Sequence, residues 1–241
     1  MITLYDMGPS TLPKHLGCSP HVRKIIFALN YKKIPFTLVN LSLDSIQPTA
    51  KSVDAPPTTT SADGAPKYTV PFIYDHDNKK AVSDSLDIAK YLDKAYPDAP
   101  RLFAEGSEKA QEDLINAWMQ AIGPVFPLLM VRIWDLFSEE MKQDRIRRGE
   151  EAMYTSIRFT KEQEKEAWEK SKKAFNEVKR VDVEDNEFVF ANMVLGVIAG
   201  IVKIAFGEES DEWKDMSSWA DGNVGRAVDT AAKHESQMVS E

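Results

Sequence analysis

One stretch limits the folds open to this chain more than any other. Phe188 to Phe206 reads FVFANMVLGVIAGIVKIAF and offers no polar face to water. A helix that is apolar all round has two homes, a bilayer or the middle of a helical core. The run approaches spanning length and contains Gly196-x-x-x-Gly200, a spacing that lets helices approach closely. It also carries Asn192 and Lys203, and it is the only such run in the chain. It is therefore read as the central helix of an all-helical core, with its glycines admitting a neighbouring helix.

The flanking sequence fits such a core. From about Ser107 onward the pattern is helical: Leu114, Trp118, Met119, Ile122, Phe126, Leu129, Ile133 and Phe137 belong to one wide apolar stripe. Gly123-Pro124 and Pro127 should kink that long helix. Lys161–Val178 is amphipathic, with Trp168, Phe175 and Val178 inward and Glu166→Lys170 and Glu169→Lys173 as outer pairs. Glu212–Trp219 and a polar C-terminal helix follow the apolar run.

The first hundred residues read differently. Ile2–Asp6 is a strand, Val22–Tyr31 has helical apolar spacing, and Phe36–Leu43 alternates as a strand. Ser45–Lys67, rich in Pro, Thr, Ser, Ala and Asp, is an irregular excursion holding a short helix. Val70–Tyr74 and Lys80–Val82 are strands around an Asp-His-Asp-Asn turn, and Asp84–Tyr96 is a helix. The order strand-helix-strand-(helix)-strand-strand-helix gives a mixed four-stranded sheet with helices, a thioredoxin-like arrangement. Tyr96-Pro97-Asp98-Ala99-Pro100 ends the last helix and serves as a linker. The expected fold is thus α+β, with a thioredoxin-like domain over residues 1–100 and an all-α domain over 101–241, in all 241 residues of which 43% are hydrophobic.

Composition removes several function classes. A net charge of −8 argues against nucleic acid or an anionic membrane as the main partner. The single cysteine, Cys18, excludes an internal disulfide framework and a two-thiol redox pair, and suits a reducing, cytoplasmic setting. The first residues lack a basic start followed by an apolar run, so no secretory leader is expected, and Asn40-Leu41-Ser42 is read as accidental. His15, His21, His76 and His234 have no metal-ligand spacing, and no metal site is expected. There is no phosphate-cradling glycine loop and no Gly-x-Ser-x-Gly elbow.

What chemistry the chain does offer begins at Gly17-Cys18-Ser19-Pro20-His21-Val22-Arg23-Lys24, directly after the first strand and loop. Ser is a good helix cap and Pro is well suited to the first helical turn. Free backbone N–H groups and the helix dipole make the same spot favourable to an anion, a thiolate included. Two further pieces accompany it: Thr69-Val70-Pro71-Phe72-Ile73 opens the third strand, and Ser83-Asp84-Ser85-Leu86-Asp87-Ile88-Ala89-Lys90-Tyr91-Leu92 opens the third helix.

With S-P-x-x-x-K, V-P and (D/E)-S-x-x-I-x-x-Y-L in this order, the chain resembles the glutathione transferase superfamily over nearly its whole length. It looks most like the fungal-specific class A, related to the bacterial β-etherases, on the strength of the long Ser45–Lys67 excursion and the Asp84-Ser85 form of a motif that usually begins with Glu.

The resemblance implies that glutathione is bound and that Ser19 donates a hydrogen bond to its sulfur. It implies a cis Val70–Pro71 peptide, with Val70 presenting backbone groups to the cysteinyl amide. Asp84 and Ser85 would hold the γ-glutamyl end; capping of their own helix is a compatible role for both. Lys67 is a candidate for the glycyl carboxylate. The second substrate, a hydrophobic and aromatic electrophile such as a lignin- or plant-derived phenolic, would lie between the domains, bounded by the Met7–Gly17 loop and by Trp118 and Met119. A homodimer is implied as well.

Two other readings stay open at this point: a non-catalytic phenolic-binding protein, and a glutathione-dependent ether-cleaving or thiol-reducing enzyme using Cys18. Cys18 lies one residue before the place that a catalytic cysteine takes in glutaredoxin-like and omega-type relatives. One departure from the family pattern is visible. Val189-Phe190-Ala191-Asn192 stands where the buried helix usually opens with a Ser/Thr-x-x-Asp capping box, a loss expected to cost about 1 kcal/mol.

Overall fold

The computed structural model describes residues 1–9, 18–61, 64–178 and 189–234. They form two compact units. One holds Met1–Leu102, joined by Lys233 and His234, and the other holds Phe103–Ala232. The division at residue 100 read from the sequence places Lys233 and His234 in the helical half. They group with the first unit, where Asn30 Nδ2 donates to the His234 carbonyl and the His234 ring meets Tyr31 edge-on.

In the first unit the described elements are β1 (Ile2–Met7), α1 (Pro20–Tyr31), β2 (Phe36–Leu41), α2 (Ile46–Ser52), β3 (Thr59–Thr60), β4 (Pro66–Lys67), β5 (Phe72–Asp75), β6 (Lys80–Ser83) and α3 (Ser85–Ala95). The four-stranded sheet runs β2-β1-β5-β6, with β1 parallel to β2 and antiparallel to β5, and β5 antiparallel to β6. This is the mixed sheet of a thioredoxin-like domain. The Ser45–Lys67 excursion contains α2, preceded by one 3-10 turn at Leu43–Ser45, and a small hairpin pairing Thr59 with Lys67 and Thr60 with Pro66.

Alternation along β1 buries Ile2, Leu4 and Asp6 and half-buries Thr3, Tyr5 and Met7. Tyr5 stacks on its cross-strand partner Phe72 with ring centroids 4.4 Å apart. Helix α1 is buried at every position from Val22 to Asn30, so it is enclosed by its surroundings rather than laid on a surface.

The second unit is all helix: α4 (Glu108–Ile122), α5 (Phe126–Leu136), α6 (Glu139–Arg147), α7 (Ala152–Thr155), α8 (Lys161–Glu177), α9 (Val189–Phe206), α10 (Asp211–Ser217) and α11 (Trp219–Ala232). The expected kink near Gly123 is larger than a kink: α4 and α5 are separate helices meeting at 84°. Pro124 offers no N–H and Pro127 sits in the first turn of α5, so turn bonds from Val125 N–H to Ile122 O and Phe126 N–H to Gly123 O carry the chain around the corner.

Helix α9 is the central helix read from the sequence, buried on all faces from Phe190 to Gly200. A Cβ on Gly196 would lie 2.6 Å from Ala227 O and Ala231 Cβ of α11, whereas one on Gly200 would meet nothing within 4 Å. Only Gly196 admits a neighbour. Lys203 sits near the end of the helix, paired with Glu208 at 2.8 Å and lying 5.6 Å from the Trp213 ring centre.

The absent capping box has a substitute. Gln111 of α4, fully buried, accepts the Ala191 N–H on its Oε1 at 2.9 Å and donates from Nε2 to Ser107 Oγ at 3.0 Å. A side chain 80 residues away therefore meets one of the first-turn N–H groups of α9.

Candidate active site at one end of the sheet

The sheet register gathers the candidate residues. Tyr5 lies beside Phe72 and Phe72 beside Ser83, so the end of β1, the start of β5 and the end of β6 share one edge. Asp84 N–H donates to Pro71 O at 3.3 Å across that edge. Helix α1 begins at Ser19-Pro20 and α3 at Asp84-Ser85. Topology thus brings Ser19, Val70, Pro71, Asp84 and Ser85 to the same end of the sheet.

Ser19 is the N-cap of α1, extended at φ −82° and ψ 128°, with Pro20 in the first turn. Its carbonyl accepts from Val22 and Arg23 N–H at 3.0 and 3.1 Å, and its Oγ accepts from His21 N–H at 3.2 Å. A hydroxyl has one proton to donate besides its lone pairs. Among the described residues nothing accepts the proton of Ser19, although the residue is only 4% exposed.

The residue that fixes this turn is Asp6. Fully buried, it accepts N–H groups from Met7 at 2.7 Å, Cys18 at 2.5 Å and Ser19 at 3.1 Å. Burial pushes its carboxyl up to about 6, against the pull of those three backbone bonds. Sequence reading passed over Asp6 as the end of a strand. The available signal was its place in the alternation: Ile2, Leu4 and Asp6 share the buried row, and a carboxylate there needs donors.

The Val70–Pro71 peptide is cis, as is Gly8–Pro9. Val70 lies just before β5, and among the described residues neither its N–H nor its C=O has a hydrogen-bond partner. Thr69, one residue earlier, is held by a 2.8 Å bond between its hydroxyl and that of Thr58.

Asp84 is exposed and caps α3, accepting Leu86 N–H on Oδ1 at 2.8 Å. Its φ of +74° is a conformation that L residues rarely adopt, costing about 1–3 kcal/mol, and such strain clusters at functional sites. Ser85 is buried, and its hydroxyl has no partner among the described residues. The donor set suits a zwitterionic peptide end: a free carboxylate oxygen, a free hydroxyl, helix N–H groups and an unpaired backbone edge.

The other candidates are placed less centrally. Cys18 is half-buried and forms no disulfide, and its N–H is tied to Asp6. Lys67 is exposed on β4. Met7 is half-buried at the end of β1, while residues 10–17 of the loop expected to bound the pocket lie outside the described residues. On α4, Trp118 is a core residue at 4% exposure, so it offers a ligand little surface; Met119 is exposed. No metal-binding group of His, Cys, Asp and Glu occurs among the described residues.

Comparison with known proteins follows the same division. A model of the glutathione S-transferase N-terminal domain matches residues 15–100, and one of the glutathione S-transferase C-terminal domain matches residues 110–234. The chain belongs to the glutathione S-transferase family. Among solved structures, the glutathione S-transferase CsGST63524 of Ceriporiopsis subvermispora, in complex with glutathione, is similar with a TM-score of 0.83 at 27% identity, over 98% of both chains. Glutathione transferase GSTFuA3 from Phanerochaete chrysosporium gives 0.79 at 25% identity, over 100% of this chain and 98% of that one. The glutathione S-transferase-like protein ustS of Aspergillus flavus is 37% identical over 145 residues, 56% of this chain. The match spans about half the length of that relative, 49%.

Proposed function

We propose that this chain is a glutathione transferase of the fungal-specific class A, acting in the cytoplasm as a homodimer. Ser19 holds glutathione as its thiolate, and the thiolate attacks small hydrophobic, aromatic electrophiles, among them lignin- or plant-derived phenolic derivatives. Support for the class comes from the 25% identity to GSTFuA3 over nearly the full length. Support for the ligand comes from the glutathione complex of the Ceriporiopsis protein.

The observation that carries the mechanism is the uncommitted hydroxyl proton of Ser19 at the N-terminus of α1. A free thiol titrates at about 8.5, so little of it is ionised at neutral pH. A hydrogen bond to a charged acceptor contributes roughly 1.5–3 kcal/mol. The helix terminus adds about 0.3–1 kcal/mol. One pH unit corresponds to about 1.4 kcal/mol, so the bound thiol ionises roughly one to three units lower. Its proton passes to solvent on binding, and no general base is needed. As the sulfur forms its bond to the electrophilic carbon the negative charge passes to the electrophile and departs with the group displaced from that carbon, chloride in a chloronitrobenzene. The Ser19 hydrogen bond weakens as the charge leaves the sulfur. Val70 pairs with the cysteinyl backbone, Asp84 takes the γ-glutamyl ammonium, and Ser85 with the α3 N–H groups takes the carboxylate.

The test is conjugation of a general chloronitrobenzene electrophile, with titration of the bound thiol followed by thiolate absorbance. Ser19→Ala is expected to lower the rate about 10- to 100-fold near pH 7 and raise the thiol titration by about one to two pH units. Glutathione affinity should change only a few-fold. An unchanged titration in Ser19→Ala overturns the assignment. Loss of activity in Cys18→Ser with full activity in Ser19→Ala transfers the chemistry to Cys18. A wild-type chain that binds phenolics and turns over no electrophile is a binding protein instead.

A further inference from the structure

The N-terminal unit buries two lysines close together in sequence, and their surroundings treat them differently. Lys32, 2% exposed at the end of α1, donates to Asp93 Oδ1 at 2.7 Å and to Pro100 O at 2.9 Å. It has a counter-charge. Lys24, 6% exposed in the middle of α1, has its Nζ 3.3 Å from His21 Nδ1. Among the described residues that imidazole is its one hydrogen-bond partner.

An ammonium carries three donors and no acceptor. Contact with an imidazole leaves two N–H groups without an acceptor and the charge without a directly bonded counter-ion among the described residues. Packing around His21 and the nearby Lys24 cation both lower the imidazole's own titration, so at neutral pH it accepts from the lysine as an uncharged ring. A charge buried this way is costly unless something pairs with it.

Asp84 acts electrostatically on both Lys24 and His21, so the three lie close together, yet no ion pair joins Lys24 to Asp84 among the described residues. One oxygen of Asp84 is already taken by Leu86 N–H. Asp84 and His21 are both exposed, so the Lys24 ammonium lies just beneath a surface that a ligand can reach. Asp84 is the N-cap of α3, and the next residue is Ser85, buried and with its hydroxyl unpartnered among the described residues. Burial holds the lysine down to about 8 against the pull of Asp84.

We propose that Lys24 is a glutathione-binding residue whose ammonium pairs with the α-carboxylate of the γ-glutamyl group, beside Ser85 and the first N–H groups of α3. This rests on the glutathione reading of the site and adds a counter-charge to it. Both charges of the γ-glutamyl end are then matched: the free oxygen of Asp84 takes the ammonium and Lys24 takes the carboxylate. No proton transfer or bond formation is involved.

The test uses the full chain and two probes in titration calorimetry: S-methylglutathione, and its analogue with 4-aminobutanoyl in place of γ-glutamyl, which lacks only the α-carboxylate. Lys24→Met should weaken S-methylglutathione about 10- to 100-fold. The analogue should bind wild type and Lys24→Met equally, and Lys24→Arg should recover part of the lost affinity. The ligand-free Lys24→Met chain should melt no lower than wild type, because an unpaired buried charge has been removed. Equal binding of S-methylglutathione by wild type and Lys24→Met overturns the proposal, as does an equal loss for both probes. In either case glutathione binding by the wild type leaves the glutathione reading standing. A wild type that binds neither probe overturns both.

Discussion

Asp6 and Asp75 are both fully inaccessible to solvent and lie on adjacent antiparallel strands, but at opposite ends of the sheet, since Asp75 pairs with Ile2. Their environments push them in opposite directions. Burial raises both, but at Asp75 the donors Tyr91 Oη and Tyr96 Oη at 2.8 Å, with Asn78 Nδ2 at 2.8 Å, outweigh it and hold the carboxyl below its usual range. At Asp6 three backbone N–H groups do not outweigh it, and the carboxyl stays up at about 6. The end bearing Asp75 is over-supplied with donors and acts as scaffold. The other end keeps an under-compensated charge beneath the turn that presents Ser19.

The strongest way to break this contrast is to remove the scaffold carboxylate. Asp75→Leu leaves two tyrosine hydroxyls and the Asn78 amide without their acceptor, and should lower unfolding free energy by roughly 3–5 kcal/mol in urea titrations. A loss below 1 kcal/mol would mean that water replaces the carboxylate freely.

Asp6→Asn probes the other end through pH. Between the unfolded value near 3.8 and the folded value of about 6, the native state holds a proton that the unfolded chain has released. Stability therefore falls as pH rises through that window, by roughly 3 kcal/mol for a group of this kind. Asp6→Asn should flatten that segment of the stability curve between about pH 4 and 6. Asp75 behaves with the reverse sign: its contribution is present above the ordinary carboxylate value and is lost in acid. A wild-type curve that rises steadily from pH 4 to 7 would contradict the raised state of Asp6.

Tyr91→Phe sharpens the comparison with the smallest effect. It removes one of several donors to Asp75 and should cost about 1–2 kcal/mol, with the acid limb of the stability curve moving to higher pH. Both changes are read from the same denaturation series.

Much of the scaffold was legible before any coordinates, because its rules are local. Alternation marked β1, β2, β5 and β6, prolines marked the linker and the α4–α5 corner, and the unbroken apolar run marked α9. The three short motifs also announced which chain segments would meet at the sheet edge. What escaped depends on long-range enclosure. Lys24 is only the last letter of the S-P-x-x-x-K motif until α1 is found buried from Val22 to Asn30. Asp6 reads as a strand end until Cys18 and Ser19 fold back over it. Gly200 reads as a contact point like Gly196 until α11 is found against only one of them. The 84° corner exceeded a kink because Pro124 and Pro127 fall close enough to stop one helix and start another.

The reach of Gln111 to Ala191 has a consequence during synthesis. When α4 has left the ribosome, α9 is still tens of residues from being made, and the amide of Gln111 has nothing to receive. The most apolar helix of the chain emerges only later, and the first-turn N–H of Ala191 then meets a side chain made long before it. This link between α4 and α9 therefore closes late in synthesis, and until then the apolar faces that the two helices bury remain open.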